Sequence, residues 1–555
     1  MPRKHLSPAS IETAIRALRA GAQNALSHLP GERPSKVVVE ISGPIARRAA
    51  RPSFFGLPFL SRRFQGAIEI EHIKELLDAL AGAPWIHEVA LRLDDIHADP
   101  SVLYALRRAI EALGRAGKRT RALLCRLTWG SYYLATAARE IIVPESADIE
   151  LYGLGVTVTF MRDALARFGV RFEKLAIDEY KNAFDELVRQ EMSPAQREQL
   201  DALLDRIEAH YLGAMGEGRG LSPAEIRGFF DEGVGSAERA LERKLIDRVA
   251  YEDEILDAGY TKVDDVLRHL RAPVPSPLSA RVAVVSLLGA IIPGKSRRAP
   301  LPLPGFGGHT AGAETLIQAL RAADQDSTTA AIVLFVDSGG GSALASDLIG
   351  REVKRIAAKK PVVAVMGAVA ASGGYYVLTH ASRVIAAPST VTGSIGVLTG
   401  KLVLEELLAR HGFHTEQLRR GRYALLFDPS TGLGDDERAL LARSNEEIYQ
   451  RFLRRVAEGR KLTVEQVHAV ARGRIWAGSE AMEKGLVDEL GDLETGIERA
   501  RALAGLGSGA PVWHVHAPED TALPHGGDAE ALLHFLSPLA REHSLLLEPR
   551  TLRFG

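Results

Sequence analysis

The chain has 555 residues, 46% hydrophobic and 25% charged, with 69 Lys and Arg against 70 Asp and Glu for a formal net charge of −1. That length exceeds one hydrophobic core, so several domains or an internal repeat are expected, and the even charge balance removes the electrostatic reason for a nucleic-acid partner. The single cysteine, Cys125, excludes an intrachain disulfide and a cysteine-based zinc cluster, and the 17 histidines contain no HExxH spacing, so no metal and no other cofactor is expected.

Residues 1–35 read as an N-terminal amphipathic helix region. Ile11, Ile15, Leu18, Ala22 and Leu26 recur at helical spacing, with Arg16 and Arg19 off that face. A helix docked on the protein body is the plainer expectation. Peripheral membrane contact is the sharper one, supported by the apolar segment "SFFGLPFL" at 53–60. No apolar stretch reaches the roughly 18 residues of a membrane-crossing helix, and no apolar signal core is seen.

From residue 36 onward the chain is written twice. "KVVVEISGPI" is answered by "RVAVVSLLGAI", "VALRLDDIHADP" by "IVLFVDSGGGSA", and "RLTWGSYYLATAAREII" by "AVAASGGYYVLTHASRVI". "DEYKNAFDEL" is answered by "RGRYALLFDPS", and "GVGSAERA" by "IWAGSEAM". Asp94 and Asp337, Tyr132 and Tyr375, and Tyr180 and Tyr423 all lie at one constant separation. Two α/β repeats follow, 36–262 and 281–505, joined by a linker at 263–280 that carries three prolines and followed by a C-terminal extension at 506–555. Within each repeat, short β-branched runs alternate with amphipathic stretches such as "AETLIQALRAAD" and "ASDLIGREVKRIAAK", the pattern of a largely parallel sheet. Cys125, inside "RALLCRLTW", reads as a small core residue.

The two copies differ where chemistry would sit. Ser372 and Gly373 stand where the first copy has Trp129 and Gly130, and "DSGGGS" at 337–342 stands where it has "DDIHAD". Lys181, in turn, is matched by Ala424. One copy holds a serine without the lysine, and the other a lysine without the serine, as when two sites have been reduced to one that is shared. A serine hydroxyl needs a neighbouring base to become a nucleophile, and a lysine whose charge is disfavoured by burial can supply it. The Gly373 amide, with Gly340 or Gly341 from the glycine loop, would form an oxyanion hole. Tyr375 and Tyr376 read as core packing, because the first copy keeps both tyrosines without the serine. "GAIIPGKS" at 289–296 matches a phosphate-binding pattern by letter, but Pro300, Pro302 and Pro304 follow where that motif needs a helix, so a loop is expected.

The blocks "DSGGGSALAS", "AASGGYYVLTHASRVIAAPSTVTGSIGV", "EYKNAFDELVRQEMSPAQRE" and "RFLRRVAEGRKLTVEQVHAVARGRIWAGSEAMEKGLVDELG" make the chain resemble the signal peptide peptidase or protease IV family in its long, duplicated form, over roughly 36–505. The resemblance implies two tandem α/β domains of the Clp protease and crotonase superfamily. It also implies a serine endopeptidase with Ser372 as nucleophile, Lys181 as general base and the amides of Gly340 and Gly373 as oxyanion hole. A homo-oligomer, a tetramer by resemblance, and hydrophobic peptides such as signal-peptide remnants as substrates are implied as well. Gly339 stands where such proteins usually show a proline, and the transmembrane anchor common in long members is not seen. By resemblance the protein is membrane-associated, while the residues leave a cytoplasmic location open. Two other functions fit the same fold: an acyl-CoA hydratase or hydrolase of the crotonase type, and an inactive scaffold.

Overall fold

The computed structural model describes residues 33–47, 68–233, 235–256, 259–270, 276, 279–298, 309–515 and 545–547. The helix expected at Ile11 to Leu26, the apolar segment 53–60 and the three prolines of the linker lie outside the described residues. The chain divides into two compact units, one of residues 1–155 and 207–279, the other of 156–206 and 280–554. The stretch 156–206, which carries Lys181, therefore packs in one unit with the serine-bearing repeat.

In the first unit, six parallel strands lie in the order Tyr260–Lys262, Lys36–Ala46, Glu88–Ala98, Arg119–Leu123, Glu140–Val143 and Arg248–Val249, and Ile68–Glu69 pairs with Lys36–Ala46. Parallel neighbours need crossover connections, and the helices Ile70–Gly82 and Pro100–Arg115 supply two of them, each burying an apolar stripe at helical spacing such as Ile70, Ile73, Leu77 and Leu80. The start of the linker stretch forms helical turns, Val263–Val266 and Leu267–His269, that bury Val266 and Leu270. Cys125 departs from expectation: it is exposed. The strand Arg119–Leu123 ends two residues before it, and its N–H donates to Asp94 Oδ1 (2.8 Å) as the chain turns, so the apolar run buries its middle and not its end.

His210 sits among the rings of Tyr104, Tyr133 and Tyr211, 3.3 Å from the Tyr133 hydroxyl. Burial, with a lesser contribution from the charge of Arg107, pushes its pKa down to about 4 from 6.5. The folded protein then resists protonation while the unfolded chain binds a proton near pH 6.5, so stability is full above that pH and falls as pH drops toward 4. We expect the thermal midpoint of this unit to decline across that window, and a His210→Phe variant to show a flatter decline when followed by circular dichroism.

In the second unit the main sheet runs Ile475–Ala477, Val391–Gly393, Val362–Ala371, Thr329–Ser338, Arg281–Leu288 and Val512–His514, with Arg383–Ala386 also on Val362–Ala371 and Glu489–Leu490 beyond it. Only the Val391–Gly393 pairing with Ile475–Ala477 is antiparallel. Val282, Val284, Val333, Phe335, Val363 and Val365 pack on Leu493, Ile497 and Ala500 of the helix Leu493–Leu503. Their neighbours Ile332, Leu334 and Val336, which alternation turns to the opposite face, are equally buried. A sheet covered on both faces explains why these strands read as unbroken apolar runs. The C-terminal extension contributes a strand to this sheet, since Val512–His514 pairs in parallel with Arg281–Leu288.

The duplication is visible bond by bond. Tyr132 donates its hydroxyl to Leu245 O at 2.9 Å, and Tyr375 donates to Leu486 O at 2.9 Å. Asp247 accepts from Ile141 N–H and Arg219, as Asp488 accepts from Val384 N–H and Arg460. Each arginine closes a 26-residue helix, Pro194–Arg219 and Asp435–Arg460. Gly218 and Gly459 lie where a Cβ would come 2.0 and 2.1 Å from Thr136 O and Thr379 O. The tyrosine pairs are structural, all four rings being buried. Among the described residues no helix is long and apolar enough to cross a membrane.

Candidate active site

Ser372 follows the last residue of the strand Val362–Ala371 and precedes the short helix Gly373–Tyr376. Its backbone sits at φ 54, ψ −115, a conformation that costs a non-glycine residue on the order of 1–3 kcal/mol and persists only where surroundings hold it. Those surroundings are on hand. Ser372 N–H donates to Gly393 O (2.8 Å), its carbonyl accepts from Tyr376 N–H (2.8 Å), and Gly374 packs where a Cβ would lie 2.4 Å from Ser338 O. The strained turn throws the hydroxyl forward off the strand end.

Lys181 reaches it from the segment after the strand Arg171–Ala176, whose antiparallel pairing with Leu398–Val403 ties that segment into the second unit. Lys181 Nζ donates to Ser372 Oγ at 2.9 Å, to Ser394 Oγ at 2.7 Å and to Ser394 O at 3.0 Å. Ser372 is 0% exposed and Lys181 1%. The lysine backbone is braced on every side: its carbonyl accepts from Lys174 Nζ (2.6 Å), which also pairs with Asp185 (2.6 Å). Asn182 donates to Asp185 and accepts from Gln199, whose carbonyl oxygen accepts from Ile475 N–H. Gly473, at φ 82, lies so close that a Cβ there would be 2.6 Å from both Lys181 N and Lys181 Cβ.

Three of these residues were not singled out from the sequence. Ser394, the second partner of the amine, has φ 49, and its N–H donates to Arg474 O (2.7 Å). Ser338 accepts from Gly340 N–H (3.1 Å). Gly473 sits in "VARGRIW". The only signal any of them offered was its place in a small-residue block or beside a glycine.

The glycine loop lies next to the serine. Gly340–Ser342 is a short strand, and Gly341 (φ 156) lies where a Cβ would be 2.1 Å from Ile291 O, so no other residue fits without backbone movement. Gly340 N–H is engaged by the Ser338 hydroxyl. Gly373 carries the first amide of its helix, a position left without an intrahelical acceptor. In the first unit the equivalent corner is closed: Trp129 is buried against Tyr211 and Phe230, at ring separations of 5.7 and 5.2 Å. The phosphate-loop pattern is only in part the loop expected: Ala290–Ile292 is a strand, and the chain then bends through Gly294 toward the strand Arg297–Arg298, while Pro300, Pro302 and Pro304 lie outside the described residues. Among the described residues no group of three or more His, Cys, Asp or Glu side chains is placed to hold a metal.

A serine and a lysine in contact on a strained turn beside a glycine strand is an arrangement for acyl transfer, and the family model for peptidase family S49 matches both repeats, at residues 115–264 and 354–507. The chain belongs to peptidase family S49. It is 32% identical over 465 residues to "Serine protease SPPA, chloroplastic" of Arabidopsis thaliana, covering 80% of this chain and 67% of that one. It is 31% identical over 440 residues to "Protease 4" of Salmonella typhi, covering 76% and 69%. Among solved structures, ClpP1 from Listeria monocytogenes matches 38% of this chain and 91% of its own, at 17% identity and a TM-score of 0.23. The S49 match in two regions agrees with the tandem α/β repeats traced above.

Proposed function

We propose that this serine protease of family S49 cleaves extended, largely apolar peptides such as signal-peptide remnants, with Ser372 as nucleophile and Lys181 as general base. The observation that carries the reading is the 2.9 Å contact between Lys181 Nζ and Ser372 Oγ within one compact unit. Burial disfavours a charged ammonium, and with the amine uncharged the same contact runs the other way, the hydroxyl donating to the nitrogen lone pair. Ser372 Oγ attacks the scissile carbonyl as Lys181 Nζ takes its proton, and the oxyanion is met by Gly373 N–H and an amide of the glycine loop, that of Gly341 or, once it leaves the Ser338 hydroxyl, that of Gly340. Lys181 then gives the proton to the leaving amine, and the acyl-enzyme is hydrolysed by a water that Lys181 deprotonates in turn. Ser394 holds the amine through its hydroxyl and carbonyl during both transfers.

The substrate backbone adds as a strand beside Gly340–Ser342, and Leu344 and Leu348, 60% and 46% exposed just beyond that strand, favour apolar side chains. A serine-directed phosphonylating probe followed by peptide mass spectrometry tests the assignment. The label is expected on Ser372, and peptide hydrolysis with the label on another residue overturns it.

The active form is an oligomer in this reading. Phe168, Leu402, Phe413 and Leu418 are all exposed, Leu418 at 92%. The first three ride on elements joined by main-chain bonds, Leu407 N–H to Gly169 O, Leu402 in register with Phe172, and Phe413 N–H to Leu408 O. Large apolar side chains left exposed on joined elements are the feature on which the oligomer reading rests. Light scattering on the purified chain is expected to give a multiple of the 60.0 kDa chain mass, and a single-chain mass at every concentration overturns it.

A further inference from the structure

The third sheet of the molecule runs Arg297–Arg298, His309–Gly312, Ala290–Ile292, Gly340–Ser342, Leu545–Leu547, Leu398–Val403 and Arg171–Ala176. Leu545–Leu547, from the C-terminal extension, is the strand that joins its two parts. It pairs antiparallel with the glycine strand, Gly340 opposite Leu547, Gly341 opposite Leu546 and Ser342 opposite Leu545, and Leu545 also pairs with Leu398. Its backbone comes within 8 Å, Cα to Cα, of the helix that starts immediately after Ser372. Lifted out, it would leave the edges of Gly340–Ser342 and Leu398–Val403 facing each other across a slot one strand wide, about 9.5 Å between backbones. Such a slot offers hydrogen-bonding edges on both sides to any extended chain of suitable sequence.

We propose that Leu545–Leu547 occupies the peptide-binding slot as a tethered competitor of substrate, so that this chain inhibits itself until the segment is displaced. The inference rests on the peptidase reading above and adds the occupant and its regulatory effect. Three observations converge on it. The segment docks by strand addition, the mode by which extended peptides bind an open sheet edge. It carries three consecutive leucines, the apolar class of side chain assigned to the substrate. Ser372, which must meet a substrate carbonyl, is wholly buried while this strand is in place. A competitor on the same chain acts at an effective concentration up to on the order of a millimolar, so it holds the slot against dilute peptides without high intrinsic affinity.

The test uses the full chain carrying Ser372→Ala, with and without Leu545→Pro, Leu546→Pro and Leu547→Pro together, which removes every main-chain donor of the segment. The probe is a fluorescein-labelled peptide of the sequence REHSLLLEPRT, residues 541–551, and binding is read by anisotropy. The triple-proline chain is expected to bind the peptide at least about tenfold more tightly than the unmodified segment allows, and so is a chain shortened after Val515. Equal binding by all three chains overturns the proposal. With Ser372 intact, the triple-proline change is expected to lower KM several-fold at unchanged kcat, and the free peptide to inhibit competitively; a fall in kcat with KM unmoved also overturns it. Peptide capture by the triple-proline chain with no hydrolysis of any peptide would uphold the docking while removing the peptidase reading beneath it.

Discussion

Ser372→Ala is expected to lower kcat/KM for a peptide substrate by at least about a thousandfold, and Lys181→Ala by a similar factor, because groups that act as one unit in acyl transfer fail together. Neither change should unfold the protein. The amine keeps Ser394 Oγ at 2.7 Å and Ser394 O at 3.0 Å when the Ser372 hydroxyl is removed, so no buried charge or donor is stranded by the serine variant. Ser372→Gly would go further, since glycine accepts φ 54 at little cost; it should be inactive and slightly more stable than the parent. Lys181→Arg should not restore activity, because a guanidinium stays charged and cannot take the proton. Steady-state hydrolysis together with thermal melts separates these outcomes. Retention of more than about a tenth of the activity by either alanine variant would remove the dyad from the mechanism.

Gly473→Ala is expected to be the most damaging change outside the dyad. A Cβ at that position would stand 2.6 Å from the nitrogen and the Cβ of Lys181 and 2.7 Å from its Cα, and none of these atoms can rotate away. Either the strand Ile475–Ala477 or the lysine segment must shift. Displacement of a reacting group by about 1 Å can cost on the order of a hundredfold in rate, and we expect at least that loss, with a fall in thermal midpoint of several degrees. Gly485→Ala is the control. Gly485 has a similar φ of 73, but a Cβ there would meet only Leu462 side-chain carbons at 3.9–4.0 Å. It should lose about 1 kcal/mol of stability from the left-handed backbone alone and keep its activity. Equal activity in the two variants would show that the close approach of Gly473 does not position the lysine.

The serine and the lysine were legible because the chain carries its own control: Trp129 opposite Ser372 and Ala424 opposite Lys181 mark the positions that differ between otherwise matching blocks. The strands and helices of the second repeat were legible too, since "AAIVLFVD" and "ASDLIGREVKRIAAK" fall within Thr329–Ser338 and across Ala343–Ala357. Ser394 was not, because a serine in "TVTGSIGV" has the same local signature whether it faces a lysine or a backbone. Gly473 was not, because the need for glycine there comes from Lys181, some 290 residues away in sequence. Cys125 misled for a related reason. An apolar run shows that a strand is buried, while where the strand ends is set by the partner whose edge it follows.

By itself the sequence determined the duplication, the alternation of strand and helix, and the positions at which the two copies differ, all of which reside in neighbouring residues and in the comparison of one copy with the other. Only the tertiary structure decided that residues 156–206 leave their own repeat to pack with 280–554, that Ser394 completes the hold on the amine, and that Leu545–Leu547 fills the gap between two strand edges. Which strand joins which edge is a contest among distant segments for the same unpaired main-chain groups, and local pattern carries no record of its outcome.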